Sequence, residues 1–158
     1  MNNVTVRIAA SADTVSVSEI AKECWADIYH GYREQLGDDI YADVYVSPLE
    51  NKAQRLKIAI EEGRVLVAEC DGGICGFSSF GVEGRVGVLK DNAVSKKFQG
   101  RGIASVLYEA VFRKLRSEGC LVVRVSTGLD DAHAPARRAY EKAGFDVSLS
   151  SITYYKKL

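Results

Sequence analysis

Hydrophobic and polar residues change period several times along the chain, and each change marks an element. Val4, Val6 and Ile8 alternate with polar residues, which predicts an opening strand. Ser16 and Glu19 then stand at capping-box spacing, and Val17, Ile20, Ala21, Cys24, Trp25 and Ile28 recur at helical intervals behind them. That pattern predicts a first amphipathic helix ending near Gly31. The stretch through Gly37-Asp38-Asp39, Tyr41 and Tyr45 is the least periodic and fits either a short helix or a loop. Ser47-Pro48-Leu49-Glu50 is a clearer start signal, with an N-cap residue, proline at the first helical position and glutamate at the third. Leu49, Ala53, Leu56 and Ile60 give the buried side of that helix, and Gly63 stops it.

From Arg64 the period shortens. Residues 65–70, the turn Asp71-Gly72-Gly73 and residues 74–80 read as strand, tight turn and strand, and a third strand follows over 85–94. Ile103, Val106, Leu107, Ala110, Val111 and Leu115 then form one apolar helical stripe closed by Glu118-Gly119. Residues 121–126 are a short apolar strand of the kind that sits inside a sheet. Residues 136–143 predict a short helix ended by Gly144, and 147–149 with 152–155 a final hairpin. The order predicts an α+β fold, a mixed central sheet with flanking helices, forming a single domain over residues 1–158.

Composition narrows the function. The 158 residues are 47% hydrophobic, enough for a substantial core, and 21 Lys plus Arg balance 21 Asp plus Glu. Zero net charge supplies no general pull toward nucleic acid or an anionic membrane, and Lys96-Lys97-Phe98 is not part of any extended basic stripe. No apolar run approaches a membrane span, and the opening MNNVTVR lacks the hydrophobic core of a signal peptide. Cys24, Cys70, Cys75 and Cys120 follow no metal-ligand spacing and read as reduced thiols. The expectation is a cytoplasmic protein without a metal, a membrane partner or a nucleic-acid partner.

The segment from Asn92 to Ala104 carries the chemistry. It leaves a strand and opens a helix, but Ser105 stands where a dinucleotide fingerprint needs its third glycine, and no GKS or GKT of a P-loop is present. Gly100 and Gly102 still strip side chains from the turn, so an oxygen-rich ligand can approach the N–H groups of the first helical turn. The same glycines also suit an ordinary tight turn. Lys96, Lys97 and Arg101 are placed to add charge-assisted contacts to a diphosphate.

Gln99-Gly100-Arg101-Gly102-Ile103-Ala104 resembles the acyl-coenzyme A binding motif of the GCN5-related N-acetyltransferases, with Gln99, Gly102 and Ala104 at the motif positions. Ala136, Tyr140, Gly144 and Phe145 look like the later element of that family, although His133 stands where it commonly has asparagine. Arg7 to Asp13, Trp25, Tyr29-His30-Gly31, Asp71-Gly72 and Gly76-Phe77 extend the resemblance over most of the chain.

The resemblance implies acetyl transfer from acetyl-CoA, a co-substrate, to the amine of an acceptor by direct attack, in a gap between two splayed sheet strands that binds acyl-CoA. It implies cofactor contacts from Asn92, Ala93 and Val94, with the Val94 N–H as oxyanion donor. Further cofactor contacts are implied from Gln99, Gly100, Arg101, Gly102, Ile103, Ala104, Ala136, Tyr140 and, in place of asparagine, His133. Tyr140 is the expected general acid, because a phenol with a reference pKa of about 10 is protonated at neutral pH. Asp91 and His30 are alternative general bases. Trp25, Tyr29, Tyr32, Tyr41 and Tyr45 either line an acceptor pocket or pack the helices. Arg137, Arg138 and Lys142 either approach the adenosine phosphate or are solvated. A homodimer through the terminal strands is a further implication. The alternative is an acyl-CoA-binding regulatory module without transferase activity, consistent with His133 and with the lack of a glutamate base in 85–94.

Overall fold

The computed structural model describes residues 4–158; Met1 to Asn3, part of the opening stretch searched for a signal segment, lie outside the described residues. Strand β1 (Thr5–Ile8) is followed by helices α1 (Thr14–Leu36), α2 (Asp38–Val44) and α3 (Pro48–Glu61). Strands β2 (Val65–Cys70), β3 (Gly73–Glu83) and β4 (Val86–Val94) come next, then α4 (Ile103–Ser117), β5 (Val122–Val125) and α5 (Ala134–Lys142). The sheet order is β1-β2-β3-β4-β5, antiparallel from β1 to β4 and parallel between β4 and β5. The parallel pair requires a crossover, which α4 provides. This is the mixed sheet with flanking helices that the periodicity predicts.

Alternation along β2 explains the apolar run from Val65 to Ala68. Val65 and Val67 join one core with Val17, Ile20, Leu56, Ile60 and Phe77, on the side of α1 and α3. Leu66 and Ala68 point to the other face and join Leu107, Val111, Leu115 and Tyr140 of α4 and α5. The sheet is therefore covered on both faces, and neighbouring residues of one strand deliver side chains to opposite sides.

Several element ends differ from the sequence pattern, each for a local reason. Helix α1 starts at Thr14, before Ser16. The Asp13 carboxylate there accepts hydrogen bonds from the Ala10 N–H (2.7 Å) and from both terminal nitrogens of Arg7 (2.6 and 3.0 Å). It tolerates Gly31 and runs on to Leu36, ending at Gly37 with φ 75°. One interior glycine costs only about 1 kcal/mol, and Tyr29 and Tyr32 pack against Tyr45 across the extension. The irregular stretch resolves as α2. Ser47 makes no side-chain cap although Pro48 opens α3 as predicted. Val106, placed in the buried stripe of α4, is exposed, while Tyr108 is buried.

Two corrections concern the far edge of the sheet. Strand β5 is an edge strand rather than an internal one, and Val122 is exposed. The terminal hairpin is absent: among the described residues no strand follows Gly144, and Val147, Leu149, Ile152 and Tyr154 are exposed. The connector Ser150-Ser151 has none of the glycine, asparagine or aspartate that two-residue hairpin turns require. Instead the tail reaches α2, where Lys157 pairs with Asp39 at 2.6 Å.

Candidate active site

The β4–β5 pairing covers only Val86–Leu89 against Val122–Val125, while β4 continues to Val94 beside β3. Beyond Leu89 the two strands part. Register shifts between Ser78 and Phe80 where β3 pairs with β4, and the Ser79 hydroxyl accepts from the Asp91 N–H (2.9 Å) and donates to the Asp91 carbonyl (3.1 Å). Further along, the Ser95 N–H donates to the Cys75 carbonyl at 2.9 Å. Main-chain groups alternate sides along a strand, so those of Asn92 and Val94 face away from β3, toward the side where β5 has separated.

A cleft of about 600 Å³ opens there. Its walls include Cys24 and Trp25 of α1, Asp91 to Val94 of β4, Gln99, Gly100 and Gly102 to Ala104 at the start of α4, Ser126 and Thr127 after β5, and His133, Ala136 and Tyr140. Gly100 and Gly102 both have φ 78°, a left-handed backbone that residues with a Cβ adopt at a cost of about 1–2 kcal/mol. The first intrahelical bond of α4 runs from the Val106 N–H to the Gly102 carbonyl at 3.3 Å. The N–H groups of Ile103, Ala104 and Ser105 therefore have no intrahelical partner and carry the positive end of the helix dipole.

The polar side chains around this mouth have specific partners. Gln99 donates its side-chain amide to the Val94 carbonyl at 3.0 Å, and the Cys24 thiol donates to the same carbonyl at 3.4 Å. Burial pushes that thiol up to about 11, which keeps it protonated and unreactive. Lys96, read as a phosphate contact, pairs with Asp27 at 2.8 Å. Lys97 and Arg101 lie over the Phe98 ring, 4.9 and 5.2 Å from its centroid. Lys96 also lines the cleft, with its ammonium already paired, so the bare backbone mouth of the helix is the positive feature there without an acidic partner of its own.

Asp91 and Asn92 project to opposite faces of the sheet. The Asp91 carboxylate accepts from the Lys52 ammonium at 2.6 Å, and that ammonium lies 4.2 Å from the centre of the Trp25 ring. Trp25 in turn stacks on Phe77. On the other face, the Asn92 amide nitrogen donates to the Tyr140 hydroxyl oxygen at 3.1 Å, and the buried Tyr108 hydroxyl donates to the Asn92 amide oxygen at 2.7 Å. Burial raises the Tyr140 phenol above its ordinary value, opposed by the hydrogen bond from Asn92. Tyr140 thus stays a proton-bearing group across the neutral range.

The loop before α5 is fixed by its own polar contacts. His133 Nδ1 and the Asp130 carboxylate are 2.7 Å apart, and Arg137 donates to the carbonyls of Gly128 (2.7 Å) and Asp130 (2.8 Å). Burial acts to raise the Asp130 carboxyl, but its hydrogen bond and charge interaction with His133 bring it below the usual carboxylate range. Arg137 is accordingly a clamp on the loop rather than a solvated side chain.

Of the residues the sequence singles out, Asp91, Asn92, Ala93, Val94, Gln99, Gly100, Gly102, Ile103, Ala104, His133, Ala136 and Tyr140 all line this one cleft. Arg101 stands beside it, 4.0 Å from Asp71. His30 does not join them: α1 continues past it, its side chain is 72% exposed, and it lies 3.5 Å from Glu34. Trp25 reaches the cleft, whereas Tyr29, Tyr32, Tyr41 and Tyr45 pack on one another with ring centres 5.3–6.1 Å apart. Tyr32 also stacks on His133, and burial pushes its phenol up to about 12. Lys52 and Tyr108 were missed. Lys52 falls four residues before Leu56 in a buried row that ends at Ile60, so a lysine inside an apolar stripe was its signal. Tyr108, beside Leu107, gave none.

A sequence profile of the acetyltransferase (GNAT) family matches residues 25–145 of the chain. No curated protein sequence matches it. Among solved structures, the fold is similar to a PaiA N-acetyltransferase from Thermoplasma acidophilum in complex with coenzyme A, with a TM-score of 0.74, 18% identity, and 94% of this chain and 93% of that chain covered. It is similar to AAC(6')-Iy in complex with a bisubstrate analogue, with a TM-score of 0.68, 18% identity and 99% of each chain covered. It is also similar to Ard1 from Thermoplasma volcanium, with a TM-score of 0.67, 22% identity, and 92% of this chain and 84% of that chain covered.

Proposed function

The chain belongs to the acetyltransferase (GNAT) family, and from that premise we propose that it moves an acetyl group from acetyl-CoA to a primary amine of a small molecule or a peptide N-terminus, as one transferase domain acting by direct attack in a ternary complex. The observation that carries the reading is the parting of β4 from β5 beside both the bare N-terminus of α4 and the Tyr140 hydroxyl. An acyl-CoA needs a diphosphate site, an extended amide-bearing channel and a proton source at its sulfur, and the cleft offers these in that order.

The N–H groups of Ile103, Ala104 and Ser105, with the left-handed turn through Gly100 and Gly102, hold the diphosphate. Main-chain groups of Asn92 hold the arm as a further strand would, since Ala93 keeps to β3 and the Val94 carbonyl is taken by Gln99 and Cys24, and Ala136 of α5 lines the same channel. His133 lines the same channel, where the ring nitrogen not engaged by Asp130 is its available contact. In the reaction the amine nitrogen bonds to the acetyl carbon, the carbon–sulfur bond breaks, the nitrogen loses one proton and the departing sulfur gains one. The Val94 N–H stabilises negative charge on the acetyl oxygen. Tyr140 gives its phenolic proton to the sulfur and is reprotonated from solvent. Asp91, held by Lys52 at the cleft wall, receives the amine proton directly or through water. His30, exposed beside Glu34, takes no part.

A cytoplasmic location is supported by four free cysteines, three of them buried. A homodimer through the terminal segment is supported by the exposed apolar side chains of Val147, Leu149 and Ile152. The test of the function is thiol release from acetyl-CoA across a panel of amines and peptide N-termini, with product masses. Acetylated product in step with free coenzyme A is expected; tight coenzyme A binding with no transfer to any amine would leave an acyl-CoA-binding module instead.

A further inference from the structure

Asn92 shares three polar partners whose chemistry fixes which way its amide faces. The side-chain nitrogen donates to the Lys90 carbonyl at 3.2 Å and lies 3.1 Å from the Tyr140 hydroxyl; the side-chain oxygen lies 2.7 Å from the Tyr108 hydroxyl. The Lys90 carbonyl can only accept, so the NH2 group must face it and the amide oxygen must face Tyr108. Tyr108 is buried, and its proton is committed to that oxygen. The second amide hydrogen then points at the Tyr140 oxygen. A competing bond from the Tyr140 hydroxyl to the same amide oxygen spans 3.4 Å, too long to rival Tyr108 at 2.7 Å.

We infer that Asn92 is a positioning residue: by donating to the Tyr140 oxygen while Tyr108 occupies its own, it leaves the Tyr140 proton turned into the cleft. The inference rests on the reading of Tyr140 as the proton donor to sulfur. Other groups felt at that hydroxyl are Asp91 from β4 and Tyr108 from α4. An aspartate at position 92 has no amide hydrogen to give, so the Tyr140 hydroxyl donates to it and its proton is drawn away from the cleft. A phenylalanine at position 108 keeps the packing but frees the amide oxygen to compete for the same proton.

The experiment is a double-mutant cycle on acetyl transfer, with coenzyme A affinity measured for every variant. Asn92→Asp is expected to lower kcat by about 10²-fold, the lower end of the range for general acid catalysis, and Tyr108→Phe by less. Coenzyme A dissociation constants should change by no more than about twofold, and Asn92→Asp placed in a Tyr140→Phe background should cost no more than about twofold further. A merely structural role for Asn92 would give its full loss in both backgrounds. Wild-type turnover in Asn92→Asp, or an additive loss, overturns the inference while leaving Tyr140 as the donor. Wild-type turnover in Tyr140→Phe alone removes the donor and the inference together.

Discussion

Several side chains of the cleft are held by partners distant in sequence. Lys52 meets Asp91 across 39 residues, and Asn92 meets Tyr140 across 48. Tyr140→Phe keeps the ring among Tyr108 and Phe145 but removes the proton, so it is expected to lower kcat by about 10²-fold with little change in coenzyme A affinity, read by thiol release and calorimetry. The pH sign follows from burial, which raises the phenol: with protonated Tyr140 as the proposed donor, wild-type kcat is expected to hold through neutral pH and to fall only above the ordinary phenol value of about 10. That Tyr140, Gln99, Gly100 and residues 102–104 share one cleft was legible in the sequence because they fall in two short motifs that resemble those of one family. The Asn92 side chain, Tyr108 and Lys52 were not, because their meaning lies in contacts that no spacing rule encodes.

Elements place these residues, and their ends depend on single side chains. The buried Asp13 carboxylate joins β1 to the start of α1 through Arg7 and the Ala10 N–H. Asp13→Ala removes a charge-assisted pair and is expected to destabilise the protein by about 2 kcal/mol in chemical denaturation. The hydrogen bonds from Arg7 lower the Asp13 pKa, so this stability is present above the unfolded value of about 4 and is lost as pH falls through the lower folded value. At α4, Gly102→Val puts a β-branched side chain at φ 78° on the helix mouth, and coenzyme A affinity is expected to fall more than about tenfold, in keeping with 1–2 kcal/mol of backbone strain. Helix starts such as Pro48 could be read directly. The end of α1 could not, because tyrosine packing against Tyr45 outweighs the weak helix propensity of Gly31.

At the scale of the whole molecule, the order of strands and helices announced a mixed sheet with flanking helices, and the structure covers that sheet on both faces, dividing residues 65–68 between two cores. The edge position of β5 and the unpaired tail were hidden, because an apolar segment reads alike whether its neighbour is in the same chain or absent. No residue from Asp146 onward is buried. Removing residues 146–158 should therefore leave the melting temperature within a few degrees and, on the dimer proposed through this segment, leave a monomer in sedimentation velocity where the full chain sediments as a dimer. An unchanged sedimentation coefficient per chain would place any dimer contact elsewhere.

Calorimetric titration of the folded protein with acetyl-CoA and with free coenzyme A tests the central claim most directly. The parted strands beside a bare helix mouth predict saturable one-to-one binding of both, weakened by Gly102→Val and preserved in Tyr140→Phe. No binding of either at millimolar ligand would contradict the account.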